Sequence, residues 1–110
     1  MTRIDFFRDN SGSIVRFECS GHTDYADSGS DIVCASVSAA VYSAINGIDK
    51  LLGVDFGYEK RDGYLFFVLP NEIGMTERKY INILLESMCL FLRELAEQYP
   101  DNVEISELEV

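Results

Sequence analysis

His22 and Cys34 are the residues in this chain best suited to chemistry. His22 is the sole histidine, and Cys34 is one of three cysteines. They stand in a polar, Gly/Ser-rich stretch, CSGHTDYADSGSDIVC from Cys19 to Cys34, that runs directly into an apolar segment. That segment predicts a helix, with Cys34 in its first turn and Asp31 or Ser30 as N-cap. Unpaired amides and partial positive charge at a helix N-terminus favour a thiolate. An imidazole beside it can take the proton and later return it. Glycines at 21 and 29 let the loop bend back and let a peptide backbone approach closely. Amides near residues 33–35 are candidates for holding an oxyanion. These are the parts of a cysteine hydrolase. On spacing alone they also fit an exposed loop histidine and a small core cysteine.

Asp31 has two readings: it orients His22, or it only caps the helix. Ser38 lies one turn past Cys34 on the same face. It touches substrate or thiol, or it is a small residue that permits close packing. Cys19 and Cys89 read as buried small hydrophobes. A catalytic zinc held by Cys19, His22 and Cys34 is a third arrangement. Cys19 pointing into the core argues against it, so no metal and no cofactor are expected.

The elements that must position these residues follow from periodicity. Thr2–Asp9 reads as a strand with Ile4 and Phe6 on one face. A turn at Asn10-Ser11-Gly12-Ser13 leads to a second strand, Ile14–Ser20, with Val15, Phe17 and Cys19 inward. After the polar loop, Asp31–Leu52 is a helix whose apolar positions (Val33, Val37, Ala40, Val41, Ala44, Ile48, Leu51, Leu52) recur every three and four residues; Gly53 ends it. Val54–Lys60 and Tyr64–Leu69 form a second hairpin around Arg61-Asp62-Gly63. Thr76–Gln98 is a second helix with Thr76 as N-cap, and Asn102–Leu108 a last strand. The order is ββαββαβ, an α+β fold with a mixed sheet packed against two helices. The second helix carries an apolar stripe of Ile81, Leu84, Leu85, Met88, Leu92 and Leu95, with Ile83, Leu90 and Phe91 elsewhere on its surface. That excess predicts a homodimer contact.

Length and charge bound the function. A chain of 110 residues is read as one domain, residues 1–110. Nine basic residues against nineteen acidic ones leave a net charge of −10. Such a surface repels a phosphate backbone, so no direct nucleic-acid binding is expected, and it attracts a basic partner. Unbroken apolar runs are short and no secretory signal is recognisable, so no membrane span is expected. An odd number of cysteines without a disulfide framework points to reduced thiols in a cytoplasm.

Gly21-His22, Gly29, Asp31-Ile32-Val33-Cys34-Ala35 and Val37-Ser38-Ala39 together resemble the signature of the Prp family of ribosomal-processing cysteine proteases: GH, six residues, G, one residue, DIVCA, one residue, VSA. The likeness extends over the whole chain in length and element order. The resemblance implies a homodimeric enzyme with Cys34 as nucleophile and His22 as base. It implies a reaction too, removal of a short N-terminal extension from bacterial large-subunit ribosomal protein twenty-seven, cut after an aromatic residue. It assigns no role to Asp24, Tyr25 or Asp27. Ala40 stands where a larger aliphatic residue often follows VSA, a packing difference only. The rival from another class is a non-enzymatic ribosome-assembly or interaction module, docking a basic ribosomal protein through its acidic surface and the His22 loop.

Overall fold

Two hairpins and two helices alternate along the chain, and the computed structural model describes all of residues 1–110. The elements are β1 (Thr2–Arg8), β2 (Ile14–Ser20), α1 (Ile32–Asn46), β3 (Gly57–Arg61), β4 (Tyr64–Val68), α2 (Met75–Gln98) and β5 (Val103–Glu109). The last turn of α1 widens into an i→i+5 turn over Gly47–Leu51. The sheet order is β3-β4-β2-β1-β5, with β1 and β5 parallel and the other pairs antiparallel. This is the expected ββαββαβ order and a mixed sheet with two helices.

The core forms where the alternating strand faces meet the helical stripes. Ile4, Phe6, Phe17, Leu65 and Phe67 supply the sheet side, and Phe17 stacks on Phe67 with ring centroids 4.9 Å apart. Val33, Val37, Val41, Ala44, Ile45 and Ile48 of α1 and its continuation face them, as do Ile81, Leu85, Met88, Cys89, Leu92 and Leu95 of α2. Arg8 fastens α2 to the sheet with two guanidinium nitrogens on Glu86, at 2.7 and 2.8 Å.

Four local expectations are corrected. A bulge at the β1–β2 pairing sets Phe7 opposite Arg16 and Arg8 opposite Ile14, skipping Val15. Ile14 therefore enters the core instead of Val15. Leu51 is 83% exposed, because the wider turn rotates it off the buried stripe. β3 begins at Gly57 rather than Val54. The N-cap of α2 is Gly74, with no side-chain cap, so Thr76 lies inside the helix.

The segment Ile32–Leu51 is long and apolar enough by composition to cross a membrane, with a mean hydropathy of 1.4. In this fold its valine stripe is part of the domain core.

Candidate active site

β2 ends beside the turn of the second hairpin, because β4 is its sheet neighbour and Ser20 pairs with Tyr64. Gly21, immediately after β2, is held there by its amide, which donates to the carbonyl of Gly63 at 2.8 Å. Its φ is +86°, and a Cβ at this position would collide with the Met1 carbonyl oxygen. Only glycine makes this corner without strain. His22 follows with its side chain 56% exposed. Its ring lies on Gly63, where an added Cβ would stand 3.1 Å from Nε2. The same Nε2 is 3.7 Å from Oδ1 of Asp62.

Asp31 organises the loop and the start of α1 together. Oδ1 accepts the Cys34 amide at 2.9 Å, which makes Asp31 rather than Ser30 the N-cap. Oδ2 accepts the Thr23 hydroxyl at 2.5 Å and the amides of Tyr25 and Ala26 at 3.0 and 3.4 Å. Desolvation pushes this carboxyl up. Hydrogen bonds from Thr23, Cys34, Tyr25 and Ala26 outweigh it and hold the group at about 2, below its ordinary 3.8. No hydrogen bond joins Asp31 to His22; its oxygens are committed to the cap and the loop. Thr23 is buried, and its carbonyl accepts the Asn102 side-chain amide at 2.9 Å. Tyr25 meets the ring of Tyr99 edge-on, with centroids 5.3 Å apart.

Cys34, His22 and Ser38 line two adjoining cavities at once. On one side the walls include Cys19, Val37, Val41, Tyr42 and Leu65, with Lys60, Arg61 and Tyr64 at hand. On the other they include Asp24, Asp31, Asp62, Ser28 and Gly29. The cleft is thus apolar on one side of the Cys34–His22 line and acidic on the other. Gly21 borders the first side; Gly29 borders the second, with nothing within 4 Å of where a Cβ would stand. Of the amides near residues 33–35, Cys34 donates to the Asp31 side chain and Ala35 to the Asp31 carbonyl at 3.1 Å. Val33, like Ile32 before it, has a first-turn amide with no acceptor.

The remaining thiols differ in kind. Burial, and next the Asp5 charge, push Cys19 up to about 12. Cys89 is buried in α2. Cys19, His22 and Cys34 do not converge into a metal-binding group. Sequence reasoning missed Asp62 and Gly63 as neighbours of His22. It recognised the Arg61-Asp62-Gly63 turn, but only the sheet order brings that turn beside the end of β2.

Known proteins bear on this geometry. The family described as Cysteine protease Prp matches residues 1–104. The ribosomal processing cysteine protease Prp of Bacillus subtilis (strain 168) is 32% identical over 110 residues, covering 96% of each chain. Two crystal structures of the Staphylococcus aureus ribosomal processing protease Prp share the fold. One, with a covalently linked product peptide, superposes with a TM-score of 0.88 at 24% identity, covering 97% of this chain and 99% of its own. The other, with a substrate peptide, gives 0.82 at 23% identity over the same shares. The match along nearly the full length, together with a capped cysteine sharing a cleft with the sole histidine, means that this chain belongs to the Prp family of ribosomal-processing cysteine proteases.

Proposed function

We propose that residues 1–110 form one endopeptidase domain that removes the N-terminal extension of large-subunit ribosomal protein twenty-seven, with Cys34 as nucleophile and His22 as general base and acid. The observation that carries this reading is the shared cleft: the Asp31-capped start of α1 presents Cys34 to both cavities that His22 also lines. His22 takes the Cys34 proton and the thiolate attacks the scissile carbonyl. The developing oxyanion lies near the first turn of α1, where the Val33 amide is unclaimed. Collapse expels the amine as His22 protonates it, and a water activated by His22 then hydrolyses the thioester. Asp31 positions the nucleophile through the backbone, Gly21 and Gly29 shape the loop, and Ser38 borders the reacting groups from the next turn.

The apolar cavity with Val37, Val41, Tyr42 and Leu65 suits the aromatic residue that precedes the cut. A net charge of −10 suits a basic ribosomal protein in the cytoplasm and disfavours direct binding to nucleic acid. The peptide-bound relatives support a peptide in this cleft. The exposed apolar side chains Ile83, Leu90 and Phe91 on α2 support a homodimer.

The test is mass spectrometry of a peptide copying the extended N-terminus of that ribosomal protein, incubated with the protein and with Cys34→Ala under reducing conditions. The expected result is one cut after an aromatic residue, absent in the variant. If peptide and full-length ribosomal protein both survive the folded wild type, the non-enzymatic interaction module is the better description.

A further inference from the structure

We propose that Asp62, on the β3–β4 turn, is a positioning residue for His22. Its carboxylate faces the Nε2 edge of the ring, steadies positive charge there, and leaves Nδ1 for the Cys34 thiol. This rests on the reading of Cys34 and His22 given above and adds a third member to it.

Three observations carry the inference. Asp62 Oδ1 stands 3.7 Å from His22 Nε2, within ion-pair reach. The turn that bears Asp62 is bonded to the residue preceding His22, since the Gly21 amide donates to the Gly63 carbonyl at 2.8 Å. Gly63 has no Cβ to push the ring away, so the imidazole lies against the turn that carries the carboxylate. The other charged groups around the cleft are engaged elsewhere. Asp31 holds the helix cap and the loop. Asp24 lies 3.1 Å from the Met1 nitrogen. Lys60 sits over the Tyr42 ring, and Arg61 over Tyr64 with Glu59 3.6 Å away. That leaves Asp62 as the carboxylate that meets the imidazole.

The chemistry is a proton transfer alone. Sγ–H of Cys34 loses its proton to Nδ1, giving a thiolate and an imidazolium whose Nε2–H points at Asp62. A carboxylate at that edge lowers the energy of the charged pair relative to the neutral one. Asp62 is 97% exposed, so water and salt screen the effect. Its size is that of a surface pair, about two- to fivefold in the population of reactive thiolate.

The experiment measures carboxamidomethylation of Cys34 by iodoacetamide, a neutral probe that needs no peptide. Rates are followed by intact mass at neutral pH in low salt and in 1 M NaCl. Asp62→Asn is expected to slow the reaction about two- to fivefold in low salt. The gap should close in high salt, and Asp62→Glu should restore the rate. In a His22→Ala background, Asp62→Asn should change nothing. An unchanged rate in low salt, a loss that salt does not reduce, or a loss that persists without His22 would each overturn the proposal. Because Asp62 is exposed, unchanged thermal melting is expected and separates charge from folding. Peptide cleavage by the wild type is scored separately: thiol activation without cleavage would keep the Asp62 assignment and remove the protease reading.

Discussion

Asp31 and Cys34 are joined through the backbone, not through the thiol: Oδ1 of Asp31 accepts the Cys34 amide at 2.9 Å, while Oδ2 gathers Thr23, Tyr25 and Ala26. One carboxylate therefore holds both the start of α1 and the loop that carries His22. Asp31→Asn is expected to lower the melting temperature by several degrees and to cut peptide turnover as a consequence of misplacing Cys34. The pH dependence has a definite sign. The folded group titrates at about 2 against 3.8 when unfolded, so its contribution is complete above about 4 and is lost as pH falls toward 2. Melting curves of wild type and Asp31→Asn should converge across that window. A constant gap would mean that the charge is not what the loop and cap require.

Gly21→Ala forces an alanine to φ +86° and drives its Cβ into the Met1 carbonyl. Strain of this kind costs about 1–3 kcal/mol, before any clash is relieved. Chemical denaturation should show that loss, and cleavage should fall further than stability, because the corner aims His22. Full cleavage by a destabilised variant would separate the corner from the site.

Thiol accessibility gives a simple count. The chain has three cysteines. In the folded protein iodoacetamide should modify Cys34 alone, giving a single added mass. Cys19 resists because burial holds its thiol at about 12, and Cys89 because it is enclosed in α2. In denaturant all three should react. Two adducts on the native protein would place Cys19 in reach of solvent through the apolar cavity.

The outer face of α2 presents Leu90 at 65% exposure and Phe91 at 45%. Leu90→Glu combined with Phe91→Glu should convert a dimer into a monomer in light scattering at micromolar concentration. Fold, read by circular dichroism, should be unchanged because neither side chain is in the core. A wild-type monomer would dismiss this surface as a self-contact.

Much of this arrangement is legible in the residues, for local reasons. Ile4 and Phe6, or Val33, Val37 and Val41, fall on one face whatever surrounds them, because strand and helix periods dictate it. Asp31 before an apolar run is a cap signal, and the hydrogen bond to Cys34 is the cap. What escaped depends on pairing. The bulge that buries Ile14 in place of Val15 belongs to the register between two strands. The widened turn that exposes Leu51 breaks the 3.6-residue period at the end of a helix that otherwise obeys it. Thr76 looks like a cap, but the cap of α2 is Gly74, two residues earlier. Asp62 stands forty residues beyond His22, and no spacing rule brings it to the ring; the β2–β4 pairing does.

The tie from the Asn102 side chain to the Thr23 carbonyl sets a timetable for synthesis. The His22 loop is fastened by Gly63 and by Asn102, so its anchors come from distant parts of the chain. A nascent polypeptide whose residue 102 is still inside the ribosomal tunnel already has Cys34 and His22 outside, but lacks one of the anchors that shape their cleft. The site reaches its final form only as the last strand joins the sheet beside β1.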